Sequence, residues 1–136
     1  MDSKSVVQIY FDVILGANKD VRLPDLFADD ATWRVPRSNP MIKPNPKVGK
    51  EGIMDVLTNG VGVYQSDSFR ISALKLIAEG DEVVALFTMN AKLADGREYE
   101  NDYVFYFAVR DRKIREVREN LDTLRQAQFG VFDGFA

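Results

Sequence analysis

Residues 95–109, DGREYENDYVFYFAV, decide the fold of this chain. The pair Asp95-Gly96 is a strong β-hairpin signal, because glycine readily adopts the backbone conformation that tight hairpin turns require. After this turn, Tyr99, Asn101 and Tyr103 alternate with acidic residues, which is the pattern of a strand with one buried face. A strand over residues 97–109 would span about 40 Å at roughly 3.3 Å per residue, so we expect it to curl within a small domain.

Strand patterns continue on both sides of this hairpin. Four strands are predicted, over residues 68–78, 82–93, 97–109 and 113–123. Turn signals at Gly80-Asp81 and Asp111-Arg112 join them into an antiparallel meander. The apolar residues change from odd to even positions near Ala73, which predicts a bulge that bends the first of these strands.

The first half of the chain is predicted to be mostly helical. Apolar side chains recur at helical spacing between Val6 and Leu15, and Ser3 or Ser5 can cap the start of this helix. This amphipathic pattern predicts a first helix that packs on the sheet.

Shorter elements are predicted between this helix and the meander. A short helix over residues 22–27 is followed by a strand over residues 31–35 and a proline-rich loop over residues 36–47. A third helix is predicted from about residue 49 to residue 59. The expected fold is α+β: a cone-shaped barrel of a highly curved antiparallel sheet packed against about three helices, in a single domain of residues 1–136.

Composition excludes several classes of site. The chain has no Cys and no His, which removes thiol nucleophiles, histidine-based triads and the usual zinc ligands, so we expect neither a metal nor a cofactor. Its 18 basic and 21 acidic residues give a net charge of −3, which argues against a nucleic-acid partner. No apolar run approaches the roughly 18 residues of a membrane span, and no signal-peptide pattern is present, so we expect a cytoplasmic protein without a membrane partner.

The most specific chemical signal is Glu119. In the last predicted strand Val117 and Leu121 define the inward face, and Glu119 lies between them. Desolvation of a carboxyl group on such a face raises its pKa, which allows proton exchange near neutral pH without histidine. A glutamate in this position can instead form a structural pair with a nearby Arg or Tyr hydroxyl, or lie in water near the end of the strand.

Other candidate residues follow from the same faces. Asn101 and Tyr103 lie on the inward face of the neighbouring strand, where each can serve either the core or a ligand. Trp33 and Phe105 are candidate pocket walls. Asp122 is a possible second acid, although its position on the outward face of the last predicted strand favours a solvated or capping role.

The C-terminal sequence FGVFDGFA, residues 129–136, places three Phe at a spacing of three. A frayed tail would expose this apolar surface, so we expect it to fold back on the interior or to dock on a partner subunit.

These patterns resemble the SnoaL-like branch of the nuclear-transport-factor-2-like superfamily. The resemblance rests on residues 95–105, on residues 113–123 with an acidic-x-x-Asp-Thr ending, on the Asp-Asp-x-x-Trp strand at residues 29–33, and on Gly-Lys-Glu-Gly at residues 49–52. It covers about residues 5–127 and implies a cone-shaped α+β barrel around an apolar pocket, usually in a homodimer. Relatives such as polyketide cyclases, ketosteroid isomerases and epoxide hydrolases work without a cofactor, and the resemblance places Glu119 where some of them hold an inward acid.

Two functional hypotheses follow. The first is a cofactor-free isomerase, cyclase or hydrolase, in which Glu119 is acid or base and Tyr103 and Asn101 donate hydrogen bonds to a developing oxyanion on an apolar carbonyl-containing or polycyclic compound. The second is a non-catalytic module that binds a ligand or forms a dimer, because the pocket His and the central-strand Asp of catalytic relatives are missing. A protein-partner adaptor, which would use the tail, is a third hypothesis.

Overall fold

A six-stranded sheet dominates the computed structural model, which describes residues 1–59 and 62–135. The strands are β1 (Phe27–Arg34), β2 (Lys47–Val48), β3 (Arg70–Glu79), β4 (Glu82–Lys92), β5 (Glu98–Arg110) and β6 (Lys113–Leu121). The described helices are α1 (Ser3–Ile14), α2 (Lys50–Asn59) and α3 (Thr123–Gln128), and a short 3-10 helix covers Leu23–Leu26. The strand order is β2-β1-β6-β5-β4-β3, so the α+β cone is not closed.

The predicted meander is confirmed, and one strand pairing differs from the prediction. Strands β3 to β6 pair antiparallel in sequence order, but β1 pairs parallel with β6, which makes the sheet mixed. A parallel pair needs a long crossover, and the intervening chain supplies it. The consequence for the interior is that Trp33 lies directly beside Val117.

Irregularities in the strand pairing bend the sheet. Ala73 has a φ of 56°, and the β3–β4 register shifts between Ser72 and Lys75, so the predicted bulge is confirmed. A second shift follows Ala108 in the β5–β6 pair. Each bulge disturbs the ladder locally and increases the twist of the sheet.

Helix α1 packs its apolar stripe on the inner face of the sheet. Tyr10 and Phe11 are buried, and their rings lie 5.5 Å and 6.0 Å from the ring of Phe107. The side chain of Asp2 caps the helix by accepting from the Ser5 backbone N–H, so the predicted serine cap is wrong by one residue or more. An aspartate one residue earlier performs the same capping chemistry.

The C-terminal segment folds back, as expected from its apolar side chains. Helix α3 begins after Asp122 and was not predicted, because the strand pattern of β6 runs directly into it. Beyond α3, Val131 is buried, and the Phe129 ring packs edge-on against Tyr99 at 5.2 Å. The segment therefore covers the Tyr99 end of the sheet's inner face.

Candidate functional site

Glu119 lies on the inner face of β6, directly opposite Phe105 on β5. The indole Nε1 of Trp33 donates a hydrogen bond of 3.2 Å to Glu119 Oε1. This contact joins residues 86 positions apart, and the parallel β1–β6 pairing brings them together. Taken over the whole residue, Glu119 is half-buried.

Burial raises the pKa of Glu119 from 4.5 to about 7, because the charged form loses hydration in the protein interior. The Trp33 hydrogen bond favours the carboxylate and works in the opposite direction, but burial is the larger effect. A carboxyl group with this pKa exists in both protonation states near neutral pH and can therefore donate or accept a proton.

Apolar side chains lie next to Glu119 on the inner face of the sheet. Trp33 and Phe105 are buried, and their rings meet edge-on at 5.8 Å. Val117 is fully buried and Leu121 packs against the same core. These four residues give Glu119 the low-polarity surroundings that account for its raised pKa.

A polar cluster lies beside this apolar wall, along β5. The hydroxyl oxygens of Tyr99 and Tyr103 are 2.8 Å apart, and Asn101 Nδ2 donates to Tyr99 Oη at 2.9 Å. Asn101 Nδ2 also donates to the Asp122 carbonyl, and Asn101 Oδ1 accepts from the Asp102 backbone N–H. Asn101 is thus engaged at both ends of its amide, and it connects the tyrosine pair to the start of α3.

The tyrosine hydroxyls remain protonated at neutral pH. Burial raises the pKa of Tyr103 and of Tyr99 above the ordinary value of 10, and the negative charge of Glu119 contributes in the same direction. Because the Tyr103 ring stacks on Phe87 with centroids 5.4 Å apart, its hydroxyl is held in a fixed direction. The site therefore contains rigid neutral hydroxyl donors near a titratable carboxyl group.

Two further residues join this cluster without having been predicted. Tyr64 packs its ring 5.7 Å from that of Tyr99, and Gln126 Nε2 donates to Tyr64 Oη at 3.4 Å. Tyr64 lies in a connection without periodic pattern, where its backbone forms an isolated β-bridge with Leu93. Gln126 lies in the unpredicted helix α3, and the one available signal was Asp122 as a helix cap four residues before it.

Asp122, the possible second acid, lies outside this arrangement. Its side chain is exposed and accepts from the Arg125 backbone N–H at 3.0 Å, which caps α3. This is the capping role that its outward parity favoured.

Two clefts on the protein surface lie away from Glu119. One of about 640 Å³ lies beside the β3–β4 turn, and one of about 560 Å³ lies between the start of β1 and the start of β6. Neither is lined by Glu119, so the predicted apolar pocket around this residue stays a prediction. In the part of the chain that the structure describes, no group of three or more acidic side chains is arranged for a metal ion, and no helix has the length and apolar character needed to cross a membrane.

A family model described as a SnoaL-like domain matches residues 7–117. Among curated proteins, none matches this chain significantly.

Solved structures share the fold at low sequence identity. An NTF2-like protein from Burkholderia xenovorans is 22% identical, with a TM-score of 0.76 and coverage of 93% of each chain. A proposed polyketide cyclase from Pseudomonas putida is 15% identical, with a TM-score of 0.78 and coverage of 94% of this chain and 97% of that one. TerC, co-crystallised with polyporic acid, is 19% identical, with a TM-score of 0.78 and coverage of 96% and 98%.

Proposed function

Because the chain belongs to the SnoaL-like domain family, we propose that it binds a small, largely apolar carbonyl compound and uses Glu119 as a cofactor-free acid or base. Structural relatives include a proposed polyketide cyclase and a protein co-crystallised with polyporic acid, which supports a ligand of this kind. The observation that carries the proposal is a carboxyl group on an apolar inner face with a pKa of about 7.

The chemistry follows from the order of the groups along the inner face. Glu119 as carboxylate removes a proton from the carbon next to the ligand's carbonyl group, and the electron pair of the broken C–H bond moves toward the carbonyl oxygen. The Tyr103 hydroxyl stabilises the negative charge that develops on this oxygen, because it stays neutral and points from a rigid strand. Protonated Glu119 then returns the proton to the same or another carbon, which completes an isomerase- or cyclase-type cycle.

Asn101 has a positioning role in this proposal. Its amide already bonds Tyr99 Oη and the Asp122 carbonyl, so it does not offer a free donor to an oxyanion. It instead holds Tyr99, which in turn fixes the Tyr103 hydroxyl. Glu119 and Tyr103 are therefore the groups proposed to contact the reacting atoms.

Proton exchange tests this proposal directly. The protein is incubated with a tetralone, an aromatic ketone, in D₂O, and deuterium incorporation next to the carbonyl group is followed by NMR. We expect exchange above the buffer rate, and a loss of about a hundredfold or more for Glu119→Gln, which is the usual contribution of a general base. Glu100→Gln, on the exposed face of β5, is the control and should exchange like the parent.

A second candidate function is ligand binding without reaction. The observation that favours it is the use of the Asn101 amide and of the Tyr99 hydroxyl in internal hydrogen bonds. Under this alternative the tetralone binds with unchanged affinity to the Glu119→Gln protein, and no protein variant accelerates deuterium exchange.

We also propose that the outer face of the sheet packs against a second copy of the chain. Val104 and Ile77 are 41% and 51% exposed, and the strand pairings place both on this face beside Tyr106. Arg118 and Glu82 flank Tyr106 with opposite charges, so the surface can complement itself across a two-fold axis. Sedimentation should give a dimer for the parent and a monomer for Val104→Glu, whereas a monomeric parent would contradict the assignment.

A further inference from the structure

Gln126 is a buried side chain whose hydrogen bonds are incomplete. It is 1% exposed, in the middle of α3. Among residues 1–59 and 62–135, no group donates to its Oε1 atom, while its Nε2 atom reaches only Tyr64 Oη at 3.4 Å. Leaving a buried amide oxygen without a donor costs free energy, so such an atom in a native fold calls for a reason.

The surroundings of Gln126 connect it to the Glu119 site. Its partner Tyr64 packs against Tyr99, and the Tyr64 pKa is raised by burial with smaller contributions from Tyr99 and from Glu119. The Tyr103 hydroxyl also interacts with that of Tyr64. The Gln126 amide therefore belongs to the same group of polar side chains as the proposed oxyanion donor.

The backbone around Gln126 fixes its position. Asn101 Nδ2 holds the Asp122 carbonyl at the start of α3, and Arg125 Nε donates to the Glu100 carbonyl at 2.7 Å. On the other side the Val131 N–H donates to the Gln126 carbonyl at 3.2 Å. Since two hydrogen bonds tie α3 to β5, the free amide oxygen is presented from a rigid position, as recognition of a ligand group requires.

We propose that Gln126 is a specificity-determining residue, and that its Oε1 atom accepts a hydrogen bond from a hydroxyl group on the ligand. This inference rests on the proposed ligand-binding function and adds a substrate class to it. The site then presents three different groups to one molecule: Tyr103 to a carbonyl oxygen, Glu119 to an acidic C–H group, and Gln126 to a hydroxyl group. The ligand class is a hydroxylated aromatic ketone.

A pair of ligands that differ in one hydrogen-bond donor tests this assignment. The dissociation constants of a hydroxylated tetralone and of its methyl ether are measured for the parent by isothermal titration calorimetry. The ether keeps the ring, the carbonyl group and the oxygen but cannot donate. We expect the hydroxylated compound to bind about tenfold more tightly, which is the size of one good hydrogen bond to a buried acceptor.

Variants of α3 separate Gln126 from general effects on the fold. In Gln126→Leu and Gln126→Met the preference for the hydroxylated compound should fall to within about twofold, while the affinity for the ether stays unchanged or improves. Gln128→Leu, an exposed glutamine of the same helix, should keep the tenfold preference. If the melting curve shows that one of these two variants does not fold, the other variant still tests the assignment.

The possible results separate the role of Gln126 from the proposed ligand-binding function. Equal binding of both compounds by the parent, or a preference that persists in the Gln126 variants, overturns the role of Gln126 and leaves the proposed function standing. Binding of neither compound by the folded parent overturns the proposed ligand class, and the Gln126 assignment with it.

Discussion

Replacement of Glu119 by Gln should stabilise the protein by an amount that grows as the pH rises above about 4.5 and is complete above about pH 7. The substitution keeps an oxygen that can accept from Trp33 Nε1 but removes the ionisable proton. Near pH 4 the parent carboxyl group is protonated in both the folded and the unfolded chain, so the two proteins should have similar free energies of unfolding. Above the unfolded-state pKa of 4.5, the free energies of unfolding of the two proteins diverge.

The sign and the size follow from linkage between protonation and folding. Between 4.5 and about 7 the unfolded chain loses the Glu119 proton while the folded chain keeps it, so the parent loses stability as the pH rises. Above pH 7 the folded parent bears the full free-energy cost of ionising the buried Glu119 carboxyl group. At about 1.4 kcal/mol per pKa unit it amounts to about 3 kcal/mol. For a domain of this size this corresponds to a Tm of Glu119→Gln about 10 °C above that of the parent at pH 8.

Urea denaturation followed by circular dichroism at pH 4.5, 6 and 8 measures this effect. The control is Glu100→Gln, which removes an exposed carboxyl group from β5 and should show no growth of the difference with pH. The reasoning is refuted if Glu119→Gln is no more stable than the parent at pH 8, or if its advantage is the same at all three pH values.

Three further predictions concern the parts of the fold that shape the site. Ala73→Gly should stabilise the protein by up to about 1 kcal/mol in urea denaturation, because φ of 56° strains alanine and not glycine, whereas Ala78→Gly on the same strand should destabilise it. Gly130→Ala should lower the Tm, because φ is 80° and the added Cβ would lie 2.7 Å from Asp133 Oδ2. The control Gly134→Ala should leave the Tm unchanged, because no atom lies within 4 Å of its added Cβ. Equal effects of the two substitutions would contradict this packing. Deletion of residues 129–136 should cost at least about 2 kcal/mol, since it removes buried Val131 and uncovers Tyr99, and an unchanged melting curve would refute the docking of this segment.

The sequence pattern predicted the meander well because alternation and turn residues are local signals. The pair Asp95-Gly96 and the alternation from Tyr99 onward required no knowledge of distant residues, and the parity switch at Ala73 marked the bulge. The parallel pairing of β1 with β6 could not be predicted in this way, because a strand pattern does not specify its partner.

The same distinction applies to the site. The inward position of Glu119 followed from the parity of β6, and Asn101 and Tyr103 followed from that of β5. The Trp33 hydrogen bond depends on a long-range pairing, and Gln126 depends on a helix of six residues without an apolar stripe. These contacts are consequences of tertiary packing, which periodicity alone does not encode.

The proposed chemistry depends on the protonation of Glu119, which NMR titration of its carboxyl carbon measures. The resonance is assigned by its absence from the spectrum of Glu119→Gln, and its chemical shift is followed from pH 3 to pH 9. We expect a titration midpoint near pH 7, as burial on the inner face requires. A midpoint near 4.5 would show a carboxyl group that remains hydrated, and it would rule out Glu119 as an acid or base that is active at neutral pH.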